Sequence, residues 1–234
     1  MSSTTCYNIV IFGEPSVGKT CFIDQFCYGR SFVIYDPDNS VLSHKIVVDG
    51  RNSNLTLMDL STSFLKPENA MQHPEWAEKM LREADGIVLL YDVTRLESFE
   101  YIVNQAYSFL WRCRRLRTES EVGAGGDERR SFGCVLAGNK LDLVTAEKEG
   151  RAVSQSQAEE WVQTQGFRST ELDSLARNGP EQVLKILVKS MWKLERLGLM
   201  EAKGGEEQAG RIKGKQKSNS IRNTIKDVWR STVS

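Results

Sequence analysis

The chain has 234 residues, and its 31 Lys and Arg balance 31 Asp and Glu, so the formal charge is zero. That length suits one large domain or a domain with a tail, and 40% hydrophobic with 26% charged residues is ordinary for a globular chain. Neutrality offers no support for a nucleic-acid partner, no apolar run is long enough to cross a bilayer, and five scattered cysteines without a CxxC pair argue against a zinc or redox motif. The charge is unevenly spread: residues 201–234 hold eight Lys and Arg against four Asp and Glu, so the body is slightly acidic and the tail basic.

Strand-like and helix-like stretches alternate from the start. CYNIVIFG (6–13) is a β-rich run closed by glycine, and KTCFIDQF (19–26) shows helical spacing. KIVVDG (45–50) and NLTLMDL (54–60) form two strands around a DG turn, which predicts an antiparallel hairpin. Residues 61–75, with Pro67 and Pro74, are expected to be a loop. GIVLLYDV (86–93) is continuously apolar, as in a strand covered on both faces. A long amphipathic helix follows at 98–116, with Ser98 as its expected N-cap. Residues 118–130 are polar and glycine-rich and predict a flexible surface loop.

SFGCVLAGN (131–139) is the next buried strand, residues 154–165 a helix capped by Ser154, and FRSTEL (167–172) a weak strand. Residues 180–199 form a strong helix with Pro180 in its first turn, and 201–219 are expected to be disordered. Cys6 and Cys134 sit in strand-like runs and are expected to be reduced, mostly buried thiols. This order predicts an α/β, doubly wound, mostly parallel six-stranded sheet with one antiparallel edge strand and helices on both faces.

Two motifs carry chemistry. Gly13-Glu14-Pro15-Ser16-Val17-Gly18-Lys19-Thr20 satisfies G-x-x-x-x-G-K-[ST] between a strand and a helix. Backbone N–H groups at such a helix start cradle phosphates, the lysine reaches the outer phosphates, and the hydroxyl suits Mg²⁺. The competing reading is a glycine-rich turn with a solvated lysine. Asn139-Lys140-Leu141-Asp142 closes a later buried strand. A carboxylate there accepts both adjacent donors of guanine, N1–H and N2–H₂, which adenine lacks. Asn139 could tie loops together and the Lys140 stem could cover the base. Alone, this tetrapeptide could be a polar turn; after a phosphate loop it is much more specific.

With these motifs, residues 6–198 resemble the Ras superfamily of small GTPases, and ADGIVLLYDVTRLESFE (84–100) is strongly similar to it. The resemblance implies a P-loop NTPase (Ras-like) domain over residues 1–198, with GTP/GDP and Mg²⁺ as ligands. It implies nucleotide contacts from Gly13, Glu14, Pro15, Ser16, Val17, Gly18, Lys19, Thr20 and Cys21 on the phosphate side. On the base side it implies Asn139, Lys140 and Asp142, with Ser174, Leu175 and Ala176 in the loop that meets guanine O6. Thr20 and Asp59 are the implied metal ligands, joined by Asp38 or Ser40. Protein effectors and regulators would bind through residues 31–45 and 59–80.

The sequence departs from the family where hydrolysis is performed. The threonine expected after YDP (35–37) is replaced by Asp38, followed by Asn39 and Ser40. Where Asp-x-x-Gly-Gln is expected, Asp59 is kept, but Thr62 stands for the glycine and Ser63 for the water-orienting glutamine. No catalytic residue is therefore assigned. Pro15 takes a position that is often glycine. The implied protein is an atypical small GTPase of signal transduction with slow or impaired intrinsic hydrolysis. The alternative is a pseudo-GTPase scaffold whose partner binding ignores nucleotide. An ATP-using P-loop kinase is disfavoured by Asp142.

Residues 199–234 are expected to form a basic, partly disordered tail. Within 218–231, Ile221, Ile225, Val228 and Trp229 fall on one helical face beside Arg222, Lys226 and Arg230. Such a helix could lie in an anionic membrane interface, dock on a partner, or stay disordered. Ser231–Ser234 is not a prenylation box, Met1-Ser2-Ser3 does not fit N-myristoylation, and no secretory signal is visible. The expected location is cytoplasmic, including the cytoplasmic face of a membrane if the tail anchors there.

Overall fold

The computed structural model describes residues 4–30, 42–66, 75–121, 132–146 and 150–197. Six strands form one sheet: β1 (Thr5–Gly13), β2 (Leu42–Val48), β3 (Arg51–Ser61), β4 (Gly86–Asp92), β5 (Gly133–Asn139) and β6 (Arg168–Glu171), in the order β2-β3-β1-β4-β5-β6. Every neighbouring pair is parallel except β2 with β3, so the one antiparallel strand lies at an edge, as expected. The hairpin closes at Asp49 and Gly50, both at positive φ (46° and 76°), the backbone that a two-residue DG turn requires.

Side-chain parity divides β1 between two cores. Tyr7, Ile9 and Ile11 face α1 (Lys19–Tyr28) and α7 (Gly179–Arg196), which bring Phe22, Leu184, Leu187 and Met191 to that face. Val10 and Phe12 face the opposite layer, built from α2 (Glu75–Glu83), α3 (Leu96–Tyr101), α4 (Tyr107–Glu121) and α6 (Gln155–Gln165). Each large apolar side chain buried this way contributes about 1.5–3 kcal/mol relative to exposure. Position along the strand, not parity, makes Cys6 depart from expectation. It is exposed at the start of β1, before the buried stretch of that strand begins, whereas Cys134, the second residue of β5, is buried, which raises its thiol pKa.

The helix expected at 98–116 is compound. It begins at Leu96 and passes through an i→i+5 π turn at Ile102–Ala106, where the Tyr107 N–H bonds the Ile102 carbonyl, before continuing as α4. Ser98 is not its N-cap. It lies inside the first turn, fully buried, donating its hydroxyl to the Arg95 carbonyl (2.7 Å) and accepting from the Asp92 N–H (3.0 Å). Ser154 does cap α6, accepting from the Gln157 N–H, and Pro180 sits in the first turn of α7.

Within 61–75 the expected loop contains a 3₁₀ turn at Thr62–Leu65, and its end begins α2. Arg114 of α4 closes the far end of α2, donating to the carbonyls of Leu81, Arg82 and Ala84 at 2.6–3.1 Å with its guanidinium over the Phe132 ring. A short helix, α5 (Leu141–Thr145), follows β5. The segments 122–131 and 198–234, which include most of the predicted surface loop and the whole tail, lie outside the described residues.

Candidate functional site

The chain leaves β1 for β2 and β3 on one side of it and then crosses to β4 on the other. This reversal of strand order opens a crevice at the carboxyl ends of the strands, where α/β sheets bind ligands. Gly13 to Thr20, Asp59, Asp92, Asn139 and Ser174 all lie at this edge.

Gly18 has φ 97°, and a Cβ there would lie 2.4 Å from Asn139 Nδ2, so backbone conformation and space both require glycine. Ser16 also adopts a left-handed φ of 65°. The next helix starts at Lys19, so its first N–H groups point into the loop. Lys19 curls back over the loop: its ammonium donates to the Glu14 carbonyl (2.8 Å) and lies 3.8 Å from Asp59 Oδ1. Burial lowers the Lys19 pKa; Asp59 and Glu14 oppose that shift, and Arg95 adds to it. Asp59 is raised, chiefly by desolvation, with Lys19 and the Thr20 hydroxyl pulling the other way. Its side chain remains 37% exposed to the crevice, so solvent limits that shift.

Thr20 Oγ1 donates to Asp59 Oδ2 at 2.9 Å, so the two expected metal ligands are side by side. Both offer oxygen to the crevice, the donor type Mg²⁺ takes, and such ions draw their remaining ligands from water and phosphate. Among the described residues no three His, Cys, Asp or Glu side chains form a metal site by themselves. Asp38 and Ser40 lie outside the described residues. Cys21 is half-buried in the first turn of α1, and burial with the nearby Asp24 charge raises its thiol pKa.

Asn139 ties the loops together. Its Nδ2 donates to the Val17 carbonyl (2.8 Å), while Oδ1 accepts from the Ser174 N–H (3.0 Å) and hydroxyl (2.7 Å). One buried amide thus fixes the phosphate loop to the β6–α7 loop. That loop is held in turn by Asp173, whose carboxylate accepts from the Leu175 N–H and whose carbonyl accepts from the Ala176 N–H. Leu175 and Ala176 are exposed. Lys140, at φ 66°, places its ammonium 2.6 Å from Asp92 Oδ2. Burial opposes ionisation of Asp92, but bonds from Lys140 and Thr94 prevail and hold its pKa below the ordinary carboxylate value. Asp142 is half-buried, and among the described residues its carboxylate makes no hydrogen bond or ion pair, which leaves it available to a ligand.

The stretch after β3 packs partly into the core. Thr62 is fully buried, and its hydroxyl has no hydrogen-bond partner among the described residues. The Ser63 N–H is taken by Ser61 Oγ (3.2 Å). Phe64 inserts among Phe12, Trp76 and Phe109, with ring centroids 5.4–6.3 Å apart.

Two groups of site residues had no signal in the sequence. Asp92 ends a buried strand, yet its partner Lys140 is 48 positions away. Arg95 and Lys66 converge on Glu14 from separate loops. Asp92, the one charged residue within the run at 86–93, is the signal that could have drawn attention.

The fold and the loop define a P-loop domain of the GTPase type. The sequence profile of the Ras family matches residues 8–193, and the chain belongs to that family. It is 24% identical to Protein ras-2 of Neurospora crassa over 82% of each chain. It is 26% identical to Protein ras-1 of the same fungus, over 68% of this chain and 67% of that protein. It is also 26% identical to the Ras-related protein Rab-21 of Mus musculus, over 87% and 81% respectively. Members of the family are generally GTPases that bind guanine nucleotide, effectors and regulators.

Proposed function

We propose that this chain binds GDP and GTP with Mg²⁺, hydrolyses GTP slowly by itself, and acts as a signalling component through its nucleotide-bound surfaces. One contrast carries this reading: the binding groups converge at the strand ends, while at the position of hydrolysis Thr62 is buried and the half-buried Ser63 has its N–H bonded to Ser61. Gly13 to Cys21 would hold the phosphates, with Lys19 as the point charge. Thr20 and Asp59 would hold the metal, with Asp38 or Ser40 as the third candidate. Bound there, Mg²⁺ would offset phosphate charge.

Asp142 would select guanine by a bidentate bond, Lys140 would cover the base, and the loop at Ser174, Leu175 and Ala176 would present backbone to O6. Asp92, by holding Lys140, and Asn139, by holding both loops, would position these groups. Phosphoryl transfer depends on orienting the attacking water and stabilising charge. Ser63 is too short to replace glutamine, and its N–H is already engaged by Ser61. An arginine supplied by a partner could restore turnover.

Single-turnover hydrolysis of GTP on the purified protein with Mg²⁺ tests the reading. The expected rate lies well below that of a Ras protein with the glutamine in place; an equal rate refutes slow hydrolysis.

The pinned turn at Thr62–Leu65 favours one second reading, a scaffold whose partner binding does not depend on nucleotide state. Equal partner affinity for the GDP-loaded and GTP-analogue-loaded forms would select it.

A further inference from the structure

Glu14 is an acidic side chain in a loop built to surround phosphates. Uncompensated, it would repel a polyanion. Its carboxylate is compensated from two other segments: Arg95 Nη2 lies 3.2 Å from Oε2, and Lys66 Nζ lies 3.6 Å from Oε1. Arg95 Nη2 also donates to the Pro15 carbonyl at 3.2 Å. Three segments therefore meet on Glu14: the phosphate loop, the 3₁₀ turn after β3, and the turn between β4 and α3.

The position of this cluster along the loop matters. The Lys19 ammonium sits on the Glu14 carbonyl, and this lysine serves the outer phosphates in such loops. The cluster therefore flanks the outer-phosphate end. The Arg95 charge reaches Lys19, depressing its pKa. Arg95 Nε is buried without a hydrogen-bond partner among the described residues, so the guanidinium retains unused donor capacity.

We propose that Arg95 is a positioning residue which, balanced against Glu14 and Lys66, sets the preference of this site for the triphosphate over the diphosphate. The inference rests on the guanine-nucleotide reading above. The cluster carries one net positive charge, which an added outer phosphate engages more strongly than a diphosphate does. Removing Arg95 leaves one cation against one carboxylate. Removing the Glu14 charge leaves two unopposed cations.

The test is binding of GDP and of a non-hydrolysable GTP analogue to nucleotide-stripped protein with Mg²⁺, for wild type, Arg95→Met, Glu14→Gln and the double variant. Thermal melting without nucleotide is measured in parallel. In Arg95→Met the ratio of analogue to GDP affinity should fall about tenfold. In Glu14→Gln it should rise several-fold, and the double variant should return to near wild type. A merely structural role would lower the melting temperature and weaken both nucleotides equally.

Wild-type binding with an unchanged ratio in Arg95→Met overturns the inference alone. Absence of guanine-nucleotide binding by wild type overturns the proposed function and this inference with it. If Arg95→Met does not fold, Glu14→Gln decides, and an unchanged ratio there refutes the proposal.

Discussion

Replacing Asn139 by alanine removes three hydrogen bonds at once: to the Val17 carbonyl, the Ser174 N–H and the Ser174 hydroxyl. Asn139 is 2% exposed, and Val17 and Ser174 are also buried, so water does not readily replace the amide. A buried polar group left unpaired costs about 1–3 kcal/mol. The Ser174 hydroxyl can turn to another acceptor and shared partners are not additive, so a total loss of about 3 kcal/mol is expected. That is a large fraction of a typical stability of about 5–15 kcal/mol. For a domain of this size it corresponds to about 6–12 °C in melting temperature.

Urea unfolding and thermal melting measure the loss, and GDP dissociation measured alongside should be faster because both loops are released. Asp142→Ala is the control, since that carboxylate has no partner among the described residues. It should stay within about 0.5 kcal/mol of wild type while losing guanine nucleotide. Melting of Asn139→Ala within a degree or two of wild type would refute the assignment of Asn139 as the tie between the loops.

Gly18→Ala must adopt φ 97° and displace the Asn139 amide, so it should destabilise the fold by at least about 2 kcal/mol and abolish nucleotide binding in calorimetry. Asp92→Asn should lower stability at pH 7 by about 1–3 kcal/mol in urea titrations. Because folding lowers the Asp92 pKa, its contribution is present above the ordinary carboxylate value of 3.8 and is lost as pH falls through the lower folded value, so the two proteins should converge in acid. Trp76 packs on Phe64, so its fluorescence should differ little between the GDP and GTP-analogue states, and Phe64→Ala should enlarge the difference. Removal of residues 211–234 should abolish co-sedimentation with anionic vesicles if the tail is an anchor; equal sedimentation of both forms rules the anchor out.

The strands were legible because their signals are local. The apolar run at 86–93 is covered on both faces, and the DG turn fixes the β2–β3 register. The phosphate loop and Asn-Lys-x-Asp were legible for the same reason, since each is contiguous and framed by a strand. Helix α2 was missed although Ala77, Met80, Leu81 and Ala84 show helical spacing, because prolines upstream suggested a loop. Ser98 resembled a cap until its hydroxyl was drawn inward by the Asp92 turn. Cys6 looked buried because a strand pattern does not reveal where along the strand burial begins. Pairings such as Arg95 with Glu14, 81 positions apart, leave no trace in a local pattern.

The most direct test of the central claim is calorimetry on nucleotide-stripped protein with Mg²⁺, using GDP, a GTP analogue and ADP, on wild type and Asp142→Ala. Saturable binding of both guanine nucleotides, none of ADP, and loss of binding in Asp142→Ala are expected. Wild-type protein that binds no guanine nucleotide, or binds ADP as well as GDP, contradicts the account.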